Sequence, residues 1–460
     1  MTSIFARRGA VADTTAEPAP VPAAQAADLL VGPGLIPLGA GHAPVAPTST
    51  SDAGYDVDVL AALVLKTAYS MTKFTAAEIA KRMCLSSALV SVLLDQHRRD
   101  KLVEILGEAG QFDFRYVMTG LGHERAQRAF DVSGYVGPAP VSVERYAEVL
   151  QWQVDHFPPV SADAVRAAVR DLVLPDDVIE VAGLACASAR SLFVFGPAGT
   201  GKTTVGHLLH GALAGDLWIP HCIGIGNSIV RIYDPQLHET RQTPETPDPA
   251  LRVDRRWACI RRPFLVAGGE LTLDALELSY STAHRYYEAP LHLKANGGIF
   301  LLDDLGYQRA APLDLLSRWI FPLERRVDYL TLSTGQKLTV PFLLMLILST
   351  NLEPEKVMNA AFLRRMGYRL HLDHPEPEAY RTIFTRYAEA RGATVPPGMI
   401  EALFARYEAE QRPLRSCEPR DLIERARDIC GYQGRGFELT MDVVDRAWRG
   451  YFGSRLATEE

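Results

Sequence analysis

Cysteine is scarce and dispersed. The six residues Cys84, Cys186, Cys222, Cys259, Cys417 and Cys430 form no C-x-x-C pair in a chain of 460. That excludes a zinc knuckle or a dense disulfide framework and suits a reducing compartment. Long apolar runs are also missing. The longest, Phe342 to Leu348, falls far short of the ~20 residues that cross a bilayer. No signal-peptide core follows the opening Met-Thr-Ser-Ile-Phe-Ala-Arg-Arg, so the expectation is a soluble cytoplasmic protein. Neither charge sign dominates: Lys and Arg number 48, Asp and Glu 55, for a net charge of −7. Such a chain is no general polyanion binder, and any nucleic-acid contact needs a local basic patch. No N-K-x-D segment occurs, which leaves guanine specificity without support. What is present is ordinary for a globular chain, 47% apolar and 22% charged, and rules out wholesale disorder.

Residues 1–54 contain little to bury. Between Ala10 and Ala27, eleven of eighteen residues are Ala or Pro, and Gly-Pro and Ala-Pro pairs continue to Pro47. This composition cannot offset chain entropy and predicts a disordered tail. From 55 to 135 the pattern turns helical. Val59, Leu60, Leu63 and Val64 share one face. Thr75 with Glu78 reads as a capping box for a helix from Ala76 to Met83. Ser86 or Ser87 opens another helix, and a two-stranded hairpin follows around Gly107 and Gly110. Three helices and a hairpin in this order resemble a winged helix. Residues 136–160, opening Val136-Gly137-Pro138-Ala139-Pro140, predict a linker. Over 161–375, apolar strands at Ser191–Phe195, Ile299–Leu302, Phe342–Leu348 and Tyr368–Leu372 alternate with helical patterns. That predicts an α/β domain with a parallel sheet. Residues 376–460 predict a helical lid.

Gly196-Pro197-Ala198-Gly199-Thr200-Gly201-Lys202-Thr203 satisfies G-x-x-x-x-G-K-[ST] between an apolar strand and a helix, the context this motif requires. With Thr204 it forms the candidate nucleotide-contacting set. The glycines let backbone N–H groups turn inward around phosphate oxygens, and the helix N-terminus adds positive potential. Lys202 has the reach for the β- and γ-phosphates, and the Thr203 hydroxyl for magnesium. Carboxylates at a strand end complete such a site. Ile299-Phe300-Leu301-Leu302-Asp303-Asp304 supplies them, with Asp303 at the magnesium-coordinating position and Asp304 placed to polarise the attacking water. Alone, an apolar strand ending in Asp is a weak signal; beside the glycine loop it is a strong one.

Together these segments resemble the AAA+ ATPases, over roughly Ser161 to the C-terminus. The resemblance implies ATP and magnesium as ligands and roles for four more residues. Asn351, closing F-L-L-M-L-I-L-S-T-N, matches sensor 1, which holds the lytic water or the γ-phosphate; the plainer alternative is a turn or cap Asn. Ala361-Phe362-Leu363-Arg364-Arg365 resembles the arginine-finger segment, Arg365 before Arg364, reaching the neighbouring subunit's γ-phosphate; the alternative is a surface Arg pair at a helix end. Arg420, in Pro419-Arg420-Asp421-Leu422, matches sensor 2, which reports γ-phosphate to the lid; the alternative is an exposed first-turn Arg. Two departures stand out. Asp304 replaces the usual Glu and is one methylene shorter, which implies slow turnover. About a hundred residues separate Lys202 from Asp303, more than a minimal core needs. That insertion holds a predicted hairpin from Cys222 to Asp234 and the cluster Arg252, Arg255, Arg256, Arg261 and Arg262, read as a solvated or inter-subunit surface. A predicted hairpin over Arg326–Leu338 suggests the MoxR and magnesium-chelatase-like branch, or a related uncharacterised bacterial group carrying G-G-I-F-L-L-D-D and A-F-L-R-R.

The function implied is a homo-oligomeric ATPase, a hexameric ring, that remodels a protein partner. The rivals are an ATP-switched DNA-binding regulator using the winged helix, and a nucleotide-gated switch without sustained turnover. DNA is not favoured. From Lys73 to Gly120 seven cations meet six anions, a weak footprint for a phosphate surface. The helix opening Ser86-Ser87-Ala88-Leu89 carries no Arg, Asn or Gln in its first part to read base edges.

Overall fold

The computed structural model describes residues 30–39, 41–110, 113–242 and 252–453. At its centre is a five-stranded parallel sheet in the order Phe264–Ala267, Ile299–Leu302, Met345–Thr350, Leu192–Phe195, Tyr368–His371. Parallel strands buried on both faces read as unbroken apolar runs, and here the alternating residues divide cleanly. Leu192, Val194, Ile299, Leu301, Met345 and Ile347 face one core, under the helices Ala162–Val169, Asp176–Ala187 and Lys202–Gly211. Phe193, Phe300, Leu302, Leu346 and Leu348 face the other, against Leu315, Leu316 and Trp319 of the helix Pro312–Arg325. After the sheet come four helices, Pro377–Ala390, Met399–Ala409, Glu418–Tyr432 and Met441–Phe452, around their own core of Tyr380, Phe384, Leu422 and Trp448. The α/β class with a parallel sheet and a helical C-terminal part is thus as the sequence implies.

The N-terminal helices start where the sequence signals place them. Thr75 and Glu78 form a reciprocal capping box on Ala76–Met83, and Ser86 caps Ser87–Arg99. With Val57–Ala68 and a three-stranded sheet of Phe74–Thr75, Phe114–Met118 and Val103–Glu108, they enclose a core that also takes in Cys222 and Ile229 from the insertion. The expected strand Phe342–Leu348 is shifted to Met345–Thr350, because Phe342 to Leu344 are buried but spent on the turn out of the preceding hairpin, Val327–Thr331 with Lys337–Pro341.

Three expectations need correction. The disordered tail to residue 54 does not hold for its described part. Leu35–Leu38 and Gly41–Pro44 form an antiparallel hairpin with Leu35, Ile36, Leu38 and Ala43 buried, because distant strands supply the core that the local composition lacks. Residues 1–29 lie outside the described residues. The linker 136–160 is likewise not a free connection: Val141–Ser142 joins a sheet beside Cys222–Ile225, and the helix Val143–Asp155 buries Tyr146, Val149 and Leu150. The arginine cluster is not one surface patch: Arg252 and Arg255 are exposed, as expected, but their neighbours turn inward. Arg256 is 3% exposed and clasps Asp254 while donating to Ala53 O and Pro140 O, and Arg262 lies over the Phe157 ring. The insertion is instead a β-rich unit sharing one core with the N-terminal hairpin and the helix Val143–Asp155.

Candidate active site

Leu192–Phe195 runs between two parallel neighbours, one strand in from the edge, and the strand order reverses there, which is where open α/β sheets place their ligand crevice. The loop that follows needs its glycines. At Gly196 φ is +139°, and a Cβ would lie 2.1 Å from the Leu372 carbonyl oxygen. At Gly199 φ is +81°, and a Cβ would meet Cys417 Sγ at 2.6 Å. Thr200 is buried and its hydroxyl donates to Pro197 O at 3.0 Å, while Ala198 and Thr204 are exposed. The helix Lys202–Gly211 opens at Gly201 with no side-chain cap, leaving its first N–H groups to an anion. Lys202, 5% exposed, donates from Nζ to Gly196 O at 3.0 Å and Pro197 O at 2.7 Å. Burial pushes its pKa below the usual lysine value, while Asp304 and Asp303 pull the other way.

Two chain segments, a helix start and a neighbouring strand end, converge on the carboxylates. Thr203 Oγ1 donates to both oxygens of Asp303, at 3.0 and 2.9 Å. Ser349, on the next strand, also donates to Asp303. Asn351 Nδ2 donates to Asp304 Oδ1 at 3.0 Å. Asp304 itself has φ +51°, a conformation Asp tolerates better than most side chains. The turn around it is pinned by Gln308, which donates to Asp303 O at 2.8 Å and Asp304 O at 3.2 Å and accepts from Gly306 N at 2.9 Å. Oxygen ligands of this kind, one carboxylate with a neighbouring hydroxyl, suit a hard divalent cation that takes its remaining ligands from phosphates and water.

The arginines stand apart from this group. Arg365 is ion-paired with Glu324 of the helix Pro312–Arg325, and Arg364 beside it is exposed. Arg420 turns to its neighbour Asp421, Nε to Oδ1 3.0 Å; that hydrogen bond holds its pKa above the usual value. The C-terminal helices touch the glycine loop through another residue, Cys417, whose backbone N–H donates to Gly199 O at 3.1 Å. Sequence reasoning missed Gln308, Ser349 and Cys417. Ser349 had a signal, a small polar residue inside an apolar strand two places before Asn351. Cys417 had none, since it acts by tertiary proximity, and Gln308, although it pins a local turn, falls in no motif the sequence reading used.

Residues 376–450 match a domain of unknown function (DUF8689). No curated protein matches the chain. Solved structures similar to it include a RuvB mutant from Thermotoga maritima, 13% identical over 65% of this chain and 72% of that one, TM-score 0.35. NtrX from Brucella abortus in complex with ADP is 16% identical over 61% of this chain and 56% of that one, TM-score 0.37. At those scores the likeness is too weak to place this chain in a family, and the residues of the site carry its reading.

Proposed function

We propose that this chain is a AAA+ ATPase that binds ATP with magnesium, hydrolyses it to ADP and phosphate, and works as a homo-oligomer, a hexameric ring, remodelling a protein partner in the cytoplasm. One observation carries the reading: Thr203 and Ser349 on Asp303, with Asn351 on Asp304, gathered from two strand ends and a helix start beside Lys202. That is the inventory a phosphoryl-transfer site needs.

Lys202 is the cation for the β- and γ-phosphates, exchanging the carbonyls of Gly196 and Pro197 for phosphate oxygens. The loop glycines and the uncapped helix turn hold the phosphates through backbone N–H groups. Thr203 and Asp303 would hold magnesium, which would supply positive charge against the phosphate oxygens. Asp304 orients and polarises the attacking water, and Asn351 fixes its carboxylate. The shorter Asp side chain makes turnover slow. Arg365, with Arg364 as its neighbour, is the group offered in trans to the next subunit, and Arg420 reports occupancy from the lid. Glu324 has to release Arg365 for that role.

A protein partner is favoured over DNA by the exposed face of Ser87–Arg99. It presents Ala88, Val92, Asp95, Arg98 and Arg99, with Val92 57% exposed; Arg98 is paired with Asp95, and the first two turns carry no Arg, Asn or Gln to read bases. Mass photometry of the full chain with and without ATP tests the proposal. A shift from monomer to hexamer on ATP is expected; a monomer under both conditions overturns the ring.

A further inference from the structure

Four Lys or Arg side chains are buried among the described residues: Lys66, Lys202, Arg256 and Lys294. Burying a cation is costly unless an anion accompanies it. Arg256 has Asp254, and Lys294 has Asp234 and Glu288. Lys202 has only backbone carbonyls, and it is the one placed to meet phosphates. Lys66 is in the same condition. It is 7% exposed, its Nζ donates to Ser133 O at 2.8 Å, and no carboxylate pairs with it among the described residues. Burial lowers its pKa to about 8, so it is still mostly charged at pH 7.

Lys66 does not lie in a closed core. It lines a cavity of about 260 Å³ between the N-terminal helices and the hairpin of the insertion. Val59, Ala62, Leu63, Ala129, Val132 and Ile229 make its walls apolar. Arg125 and Arg128, both exposed, stand with it on the lining; Asp58 is the only acid there. A cationic end, an apolar body and a mouth with two more arginines fit a small amphipathic anion.

We propose that this cavity binds a small organic carboxylate with a short hydrocarbon body, its carboxylate on Lys66 and its apolar part against Leu63, Val132 and Ile229. The site is separate from the nucleotide loop. It spans the N-terminal helices and the insertion, so occupancy ties those two units together.

Hexanoate is the probe, with hexanamide as its uncharged counterpart and inorganic phosphate as an anion without a hydrocarbon body. Calorimetry on the full chain should show saturable 1:1 binding of hexanoate, at least tenfold weaker binding of hexanamide and phosphate, and at least tenfold loss of hexanoate affinity in Lys66→Gln. Circular dichroism checks that the variant folds. Ala62→Phe, which fills the cavity and leaves Lys66 in place, should abolish binding independently. No binding of hexanoate, equal binding of hexanamide, or phosphate binding as tightly as hexanoate overturns the proposal. So does unchanged affinity in folded Lys66→Gln or Ala62→Phe.

Discussion

Replacing Asp304 by Asn removes one charge and almost nothing else. The residue is exposed, so no cavity forms, and its φ of +51° is a conformation that Asn adopts at least as readily as Asp. Gln308 grips the backbone of this turn, not the Asp304 side chain, so the turn survives. The bond from Asn351 changes from charge-assisted to neutral, roughly 1.5–3 kcal/mol becoming 0.5–1.5, and solvent moderates even that. The fold and the loop around Lys202 should therefore be unaffected, and ATP affinity should change by less than about threefold, ~0.7 kcal/mol. Turnover should not be spared, because the group that polarises water is gone. Phosphate release under saturating ATP should fall at least tenfold, a barrier increase of about 1.4 kcal/mol. Thermal melting should match wild type, which separates lost chemistry from lost structure. Unchanged phosphate release in a folded, ATP-binding Asp304→Asn protein would refute the assignment. Asp304→Glu, one methylene longer, tests whether the short side chain restrains the rate; faster turnover is expected.

Arg365→Ala should still bind ATP at its own loop yet hydrolyse poorly, and mixing it with Lys202→Ala subunits should restore part of the activity; no rescue with mixed assembly confirmed argues for a role in cis or in structure, and Arg364→Ala in the same assay distinguishes the two arginines. The buried pair of His292 and Asp328, with half-buried Arg318 beside it, predicts an acid limit to stability. Burial alone would raise the Asp328 pKa, but hydrogen bonds from His292 at 2.8 Å and Arg318 at 2.6 and 3.0 Å hold it down to about 2. A folded-state pKa below the unfolded value gives stability that is present above about pH 4 and lost as pH falls towards 2, on the order of 2 kcal/mol for this group. Urea unfolding of wild type and Asp328→Asn at pH 7 should show a loss of about 3–5 kcal/mol, as for any buried ion pair stripped of one partner; a loss below ~1 kcal/mol would contradict the burial and pairing described here.

The parallel sheet was legible because buried strands need apolar residues on both faces, and runs such as Ile299–Leu302 satisfy that whatever surrounds them. Thr75 with Glu78 was legible because a capping box is a local device. The glycine loop and the two Asp residues were legible as types at fixed spacing, though not the hydroxyl of Ser349 that completes the set. The hairpin Leu35–Leu38 with Gly41–Pro44 was hidden, since its five buried residues sit in an Ala- and Pro-rich context and their partners come from beyond residue 140. Within the insertion the hairpin of Cys222–Ile225 with Ser228–Arg231 was legible, since its Gly-rich turn is local, but Val141–Ser142 pairs with Cys222–Ile225 across about eighty residues, and no local pattern announces such pairing. The arginine cluster misled because adjacency in sequence says nothing of burial. Arg256 turns inward to Asp254 while Arg255 stays exposed.

The central claim is that Lys202 and its loop hold the phosphates of ATP. Titration calorimetry of ATP with magnesium against wild type and Lys202→Ala tests it most directly, with circular dichroism confirming that both are folded. Saturable binding by wild type, weakened at least a hundredfold in the variant, about 2.7 kcal/mol, is the predicted result; equal affinities, or no ATP binding by the wild-type protein, would contradict it.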